Sequence, residues 1–436
     1  MTQEIMVVFG IQNEMKLNKA VIELADQILR SYYFEPGPTR ANRNSDRMMP
    51  GVKSAPMRCD FPIFVDLPSI KFAALMLRKL NKNIFGSVPL NKIEDYIKKL
   101  LDTDIANFFD RNTPADRSKD YLNTIGKSER DRFHLFVANI LTADPPTQTF
   151  SFPLSNVLVV SAYTGSNFYI LSGDDVGSED RQSIIEKYKI NQSINGWVGC
   201  TAAFPESAQK IKRIALGAIS LKLPHIERTQ KTLARPANGF VKHNPLGWSS
   251  SREHMPPISY DINIDEEDKW WLEKIDNLVA KSGKEFRRLR KALEYFYLGW
   301  FLEPNERVAF NFMALDAVFG HGSETLTTNF KARIPSTLEK NIDDVRLAKI
   351  VLFRNQFLHG RIPDIYDSTL YECYLRTYKC DPIIDIEYLT ASCLRRLVFG
   401  VDFQMQPNPY QAEIQKFKDR GLIPTQPSQQ TIIQEK

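Results

Sequence analysis

The chain has 436 residues, of which 43% are apolar and 25% are charged, and its formal net charge is +5. This composition is ordinary for a soluble globular protein of roughly two to three domains, and it excludes a fibrous or wholly disordered chain. The mild positive charge permits a polyanionic partner, but solvated lysines are the commoner explanation of such a charge.

No targeting or redox signature is evident. The amino terminus lacks a basic leader, and no window supplies the roughly 18 apolar residues that a membrane span requires. The five cysteines are odd in number and show neither a CxxC pair nor a Cys/His zinc spacing. We therefore predict a cytoplasmic chain with reduced thiols, no metal and no other cofactor.

The first part of the chain, residues 1–240, mixes strand and helix periodicity and predicts an α+β region. Residues 4–11 predict a short buried strand, and Leu24 and Ile28 lie on one face of the helix that follows. The arginine-containing segment 35–57 predicts a solvated loop in preference to a loop that contacts RNA, because charge runs are usually solvated.

Two further helices are predicted near 69–83 and 90–109, and a charged break follows from Arg111 to Arg132. Four strands are predicted next, in FHLFVANIL, TFSFPL, NVLVVSAY and NFYIL. A helix at about 206–221 precedes an irregular segment rich in proline and glycine, which marks a domain boundary. The predicted parts are 1–240, a linker 241–264, a helical domain 265–403 and a flexible tail 404–436.

The helical domain shows repeated apolar stripes. Its first strong helix, EFRRLRKALEYFYLGW, separates an apolar stripe from four cations, which are Arg287, Arg288, Arg290 and Lys291. The next helix has apolar residues at i, i+4, i+7 and i+11 between Val308 and Phe319, a third begins at Asp343, and a last one follows. Four helices with short connections predict an up-and-down bundle.

The third helix ends in VLFRNQFLHGR, residues 351–361. Its apolar stripe is interrupted by Arg354, Asn355 and His359, and Gly360 follows the histidine directly. Residues five apart on a regular helix are separated by about 140° around the axis. Arg354 and His359 therefore require a helix that ends or kinks here, or a meeting of two copies, if they are to act together.

Arg354-Asn355-x-x-x-His359, near the end of an apolar helix in a helical bundle, resembles the RNxxxH signature of HEPN domains. The preceding helix, NFMALDAVFG, is similar to the one that carries an acidic residue in the ApeA-like branch of that superfamily, with Asp316 at the acidic position. The resemblance covers roughly 265–402. It implies a HEPN-like fold and a metal-independent ribonuclease that pairs as a homodimer across the motif. Such proteins are often bacterial antiviral-defence or toxin effectors.

The resemblance and the residue chemistry together predict cleavage of RNA, such as tRNA or mRNA, to 2′,3′-cyclic phosphate and 5′-hydroxyl ends. An imidazole is suited to proton transfer near neutral pH, so His359 can act as a general acid or base. The planar fork of Arg354 can hold a phosphate, and Asn355 can orient either group. The four cations of the preceding helix are predicted to flank the RNA, and a phage-derived trigger or an antitoxin is an expected partner.

Other interpretations stay open. Arg354 can simply pair with Asp316 while His359 favours the helix dipole and Gly360 caps the helix. The domain would then be a non-catalytic dimerisation or nucleotide-binding module of a regulatory protein. A third interpretation places an unrecognised activity in residues 1–240, where the favoured interpretation puts a sensor or recruitment region.

Overall fold

The structure is a computed structural model in which the chain forms two compact units, Met1–Pro146 and Thr147–Lys436. The residues that it describes are 11–34, 63–108, 121–142, 147–175, 186, 194–223, 240–243, 246–249, 261–302, 304–320, 325–361, 364–421 and 432–434. The strand predicted at 4–11 and the loop predicted at 35–57 therefore lie essentially outside the described residues.

The first unit is mainly helical. Its elements are α1 (Ile11–Arg30), β1 (Tyr32–Phe34), β2 (Ile63–Val65), α2 (Leu67–Leu80), α3 (Lys82–Phe85), α4 (Leu90–Phe108), α5 (Tyr121–Thr124) and α6 (Lys127–Thr142). Strands β1 and β2 pair antiparallel. Leu24 and Ile28 are buried on α1, as their helical spacing predicts. The carboxylate of Asp26 joins α1 to α6, since it accepts hydrogen bonds from Arg130 and contacts His134.

The segment FHLFVANIL is helical, and the strand prediction for it is wrong. It lies within α6, which begins at Lys127 and so also occupies the end of the predicted charged break. Phe133 and Val137, one turn apart, are both buried, whereas Leu135 between them is 53% exposed. A helical period therefore explains the burial, and the alternation that strands require is absent.

The second unit begins with a six-stranded antiparallel sheet in the order β5-β6-β7-β3-β8-β9. Its strands are β3 (Gln148–Leu154), β5 (Tyr163–Thr164), β6 (Tyr169–Ser172), β7 (Gly196–Ala202), β8 (Phe240–His243) and β9 (Leu246–Ser249). A separate parallel pair is formed by β4 (Val157–Val159) and β10 (Ile262–Ile264). Strands β3 to β6 confirm three of the four strands predicted here. The segment predicted as the linker 241–264 thus holds sheet strands.

The sheet and the helices of this unit share one core. Helix α7 (Pro205–Ile219) packs between strand β7 and α9 (Lys284–Gly299). Gly217 makes this approach possible, because a Cβ atom there would lie 2.5 Å from the carbonyl oxygen of Leu293. The carboxylate of Asp276 also accepts the backbone N–H groups of Ser166, Asn167 and Phe168 in the turn after β5. The compact units accordingly divide at Pro146, and not near residue 240.

The rest of the unit is helical, as predicted. It contains α8 (Lys269–Ala280), α9, α10 (Pro304–Phe319), α11 (Leu326–Leu338), α12 (Asp344–Leu358), α13 (Thr369–Tyr378), α14 (Pro382–Phe399) and α15 (Gln411–Asp419). The predicted four-helix layout is too simple, because α8, α11 and α13 also lie in the domain. A second apolar core joins α10, α12 and α14, with Phe312, Phe353 and Ile386 at its centre.

Part of the predicted flexible tail is packed. Strand β12 (Ile433–Gln434) pairs with β11 (Asn341–Ile342), and Ile432 and Ile433 are buried in the second core. Farther upstream, the Gln406 side chain contacts the backbone at Asp261 and Asn263. Composition suggested a loose tail, but two apolar residues are enough to anchor its end.

A buried ion pair fixes the start of α12. Arg346 is 2% exposed and Asp385 is 3% exposed, and the Arg346 Nε atom lies 2.7 Å from Asp385 Oδ2. The Tyr374 hydroxyl donates to the same carboxylate oxygen over 2.5 Å. Burial and the neighbouring carboxylate raise the pKa of Tyr374, so this hydroxyl stays a donor. Three helices, α12, α13 and α14, are thereby joined through one carboxylate.

Candidate active site

Asp316 and Arg354 meet between α10 and α12. The core face of α10 carries Val308, Phe312, Leu315 and Phe319, all of them buried. Asp316 directly follows Leu315 and so lies at the edge of that face, half-buried. Arg354 follows the buried Phe353 in the same manner on α12. Packing of the two apolar faces therefore brings the carboxylate and the guanidinium into contact.

The contact is a bidentate ion pair. Arg354 donates from Nε to Asp316 Oδ1 over 3.1 Å and from Nη2 to Asp316 Oδ2 over 2.5 Å. The two side chains are 14% and 26% exposed, respectively. Arg354 also donates from Nη1 to Asn355 Oδ1 over 2.8 Å. A guanidinium has five N–H donors, so two remain for a further acceptor.

Helix α12 ends in a Schellman motif directly after the RNxxxH residues. The N–H of Gly360 donates to the Phe357 carbonyl, and the N–H of Arg361 donates to the Gln356 carbonyl. Gly360 has a φ of +66°, a left-handed conformation that glycine adopts without strain. His359 is the last residue before this turn, and it is exposed.

The structure does not join His359 to Arg354 within one chain. Helix α12 is regular up to Leu358, Arg354 faces α10, and His359 projects at the exposed helix end. In the described part of the chain, the side chain of His359 makes neither a hydrogen bond nor an ion pair. The His359 ring is thus accessible to solvent. For a phosphate to bind beside it, a second set of polar side chains, such as those of another copy of the chain, has to face the ring from the other side.

A basic cleft of about 670 Å³ lies between α9 and α10. The α9 side is formed by Lys284, Arg287, Arg288, Lys291 and Tyr295, which fall at i, i+3, i+4, i+7 and i+11 on one helix face. The α10 side is formed by Met313, Asp316, Ala317 and Gly320. Asp316 therefore touches both the cleft and the catalytic candidate Arg354.

Three of the four predicted RNA-binding cations line this cleft, and Arg290 does not. Its Nη1 atom donates to the carbonyl oxygens of Leu278, Val279 and Lys281, where it caps the end of α8. Burial and the neighbouring Arg287 lower the pKa of the Arg290 guanidinium. Arg290 therefore caps the end of α8, and its guanidinium does not line the cleft.

On the α9 side of the cleft, the sequence analysis did not predict two residues, Lys284 and Tyr295. Lys284 is the first residue of α9, and Tyr295 lies among core aromatic residues. The signal was nevertheless present: both continue the stripe of Arg287, Arg288 and Lys291 at helical spacing. A wheel drawn over the whole of α9 would have included them.

In the part of the chain that the structure describes, no helix is both long enough and apolar enough to cross a membrane. Among the same residues, no group of three or more histidine, cysteine, aspartate or glutamate side chains is placed to hold a metal ion. The candidate site is accordingly built from Arg354, Asn355, His359 and Asp316 alone.

No protein-family model matches the chain, and neither a curated protein nor a solved structure does. The candidate site therefore depends on its own geometry and on the motif that its residues form.

Proposed function

We propose that the chain is a metal-independent endoribonuclease of the HEPN type, with Arg354, Asn355 and His359 as its catalytic residues. The observation that carries this proposal is the arrangement at the end of α12: Asp316 and Asn355 together occupy three of the five Arg354 donors and leave two, and the His359 ring is exposed beyond them. The nearby basic cleft supports a polyanionic substrate.

The proposed reaction is transesterification. The ribose 2′-oxygen attacks the phosphorus, its proton passes to a neutral imidazole, and the P–O5′ bond breaks while a protonated imidazole donates to the departing 5′-oxygen. Arg354 stabilises the charge that builds on the phosphate oxygens, and Asp316 is a positioning residue that orients its fork. The products carry 2′,3′-cyclic phosphate and 5′-hydroxyl ends.

The two proton transfers favour a homodimer. One chain offers one accessible imidazole, whereas the reaction uses a proton acceptor and a proton donor on opposite sides of the phosphate. Leu352, two helical turns before His359, is 47% exposed on α12 and supplies apolar surface for a second copy. A twofold axis near this end of α12 would bring two Arg354/His359 sets into one cleft.

A mixing experiment tests the shared site. Chains carrying Arg354→Ala and chains carrying His359→Ala are each expected to lose at least about a hundredfold in rate. Their co-expressed mixture is expected to regain part of the RNA cleavage, because a mixed pair unites one arginine with one imidazole and leaves only one of the two proton transfers to water. The matched control mixes His359→Ala with the double variant Arg354→Ala/His359→Ala, which leaves no intact imidazole and must stay inactive. A monomer that is fully active at nanomolar concentration contradicts the dimer while leaving the residue roles in place.

The biological role that fits this chemistry is bacterial antiviral defence, by abortive infection, or a toxin. Such an enzyme would act in the cytoplasm on RNA such as tRNA or mRNA. An unrestrained ribonuclease damages its own host, so a phage-derived trigger or an antitoxin is part of the proposal.

The function is tested with the purified chain and matched oligonucleotides. Cleavage is expected to survive EDTA and to stop when the nucleotide 5′ to the scissile bond carries 2′-deoxyribose, because the attacking hydroxyl is then missing. The products are identified by mass spectrometry as cyclic phosphates. Cleavage of the deoxy substrate at a comparable rate, or a strict magnesium requirement, rules out this mechanism.

One observation favours the second candidate, a non-catalytic HEPN-like dimerisation or nucleotide-binding module. Most of the Arg354 fork is already occupied by Asp316 and Asn355, as expected of an arginine that only joins α10 to α12. In that case Arg354→Ala destabilises the domain, and the wild-type chain leaves RNA intact. The oligonucleotide experiment separates the two candidates directly.

A further inference from the structure

We propose that the cleft between α9 and α10 binds a single-stranded segment of RNA, with its phosphates on Lys284, Arg287 and Arg288 and a base on Tyr295. The inference rests on the proposed function, because it specifies the form of nucleic acid that the ribonuclease site receives. It adds a binding site that is distinct from Arg354, Asn355 and His359.

The charge of the cleft is the first argument. Four cations face a single carboxylate, Asp316, and Arg354 already neutralises that carboxylate. Among the described residues, no acidic side chain pairs with Lys284, Arg287 or Arg288. Lys291 differs, since its Nζ atom lies 2.9 Å from Glu294 Oε2. Within the described residues, these three cations thus have no acidic partner that a phosphate group would have to displace.

The position of these cations on α9 is the second argument. The amino-terminal end of a helix carries a partial positive charge, so cations in its first turns reduce helix stability. Those turns contain Lys284, Arg287 and Arg288. The N-cap residue is Gly283, which has no side chain to accept from the free backbone N–H groups of the first turn. A bound phosphate would be attracted by both the side chains and the helix end. Its negative charge would therefore offset the repulsion between the cations and the positive end of the helix.

The size of the cleft and Tyr295 favour a single strand. A volume of about 670 Å³ is in the range of small-molecule sites, whereas double-stranded RNA is recognised over about 16 base pairs. The ring of Tyr295 is fixed by an edge contact with Phe310, with 6.0 Å between their centroids. Lys291 Nζ lies over one face of the Tyr295 ring, 4.5 Å from its centroid, so a base has to stack on the opposite face.

The test is fluorescence anisotropy with a fluorescein-labelled single-stranded oligoribonucleotide and the His359→Ala protein, which binds without cleaving. Adding Arg287→Gln and Arg288→Gln is expected to weaken binding at least about tenfold at moderate salt. The plot of log Kobs against log [salt] has a negative slope, and each lost phosphate contact reduces the magnitude of that slope by about 0.7 for a single strand. The loss of two contacts is thus expected to make the slope shallower by about 1.4.

Two further variants separate charge from stacking. Tyr295→Leu is expected to weaken binding about tenfold without changing the salt slope, because stacking releases no counterions. Lys416→Gln/Arg420→Gln removes the same charge at α15, outside the cleft, and is expected to leave affinity within about twofold.

Unchanged affinity and salt slope in Arg287→Gln/Arg288→Gln overturn the cleft assignment, even if wild-type chain still cleaves RNA. Normal binding through the cleft with no cleavage by wild-type chain instead defeats the proposed function alone. Tighter binding of an RNA duplex or of a polyglutamate peptide assigns the cleft to another partner.

A thermal melt of each variant checks folding. The variant Lys284→Gln/Lys291→Gln replaces Arg287→Gln/Arg288→Gln if the arginine variant fails to fold.

Discussion

Replacement of His359 by alanine is expected to lower the rate of RNA cleavage by about a hundredfold or more while the domain stays folded. A general acid or base typically contributes about 10²- to 10⁴-fold to a reaction rate. The side chain of His359 is exposed and makes no hydrogen bond within the described residues, so its removal leaves no buried group there without a partner. Single-turnover cleavage of a labelled RNA measures the rate, and circular dichroism checks the fold.

Arg354→Ala is expected to lose a similar factor, because charge stabilisation in the transition state contributes about 10²- to 10³-fold. Asn355→Ala is expected to lose less. Arg376→Ala is the matched control: it removes an arginine that is 77% exposed on α13, and its rate is expected to stay within about threefold of wild type.

The measurement distinguishes catalysis from packing. Arg354 is only 14% exposed and joins α10 to α12, so its loss can also weaken the domain. A folded but inactive Arg354→Ala chain supports the catalytic role. If Arg354→Ala loses activity only in proportion to its unfolded fraction, and His359→Ala keeps wild-type activity, the ribonuclease assignment is wrong.

Asp385→Asn is expected to lower the free energy of unfolding of the second unit by about 3–5 kcal/mol. The substitution keeps the shape of the side chain but leaves the buried Arg346 guanidinium without its counter-charge, and breaking a buried pair has an effect of this size. The Tyr374 hydroxyl also loses a charged acceptor.

Urea unfolding followed by tryptophan fluorescence measures this effect selectively. All five tryptophans lie in Thr147–Lys436, at Trp197, Trp248, Trp270, Trp271 and Trp300. Glu372→Gln is the control, since it breaks the exposed Glu372–Arg376 pair and is expected to change stability by less than about 1 kcal/mol. A change below 1 kcal/mol for Asp385→Asn as well shows that the buried pair does not hold α12 to α14.

Local sequence determined the elements that carry the candidate site. The apolar spacing from Val308 to Phe319 is that of α10, and all four stripe residues are buried. Asp343 caps the start of α12 as predicted, and Gly360 ends it. These features depend on residues within a few positions of one another, so the chain order alone contains them.

From the sequence, the contact between Asp316 and Arg354 was only one of two interpretations, the other being that Arg354 binds a phosphate. The residues are 38 positions apart, and their meeting depends on α10 and α12 packing through one core. The residues themselves do not distinguish an arginine held ready for phosphate from one that only joins two helices. Both uses place the same side chain at the edge of an apolar stripe.

Tertiary structure decided what each cation of α9 meets. Helical spacing separates Arg290 from the stripe that holds Arg287 and Arg288, but only the packing places that stripe beside α10 and turns Arg290 to the carbonyl oxygens at the end of α8. The tight connection from α8 to α9 sets that difference. The same holds for the pairing of β8 with β3, of β10 with β4 and for Ile433, because these partners are distant in the sequence. Periodicity reports which face of an element is apolar, but the neighbour against which that face packs is fixed only when the whole chain has folded.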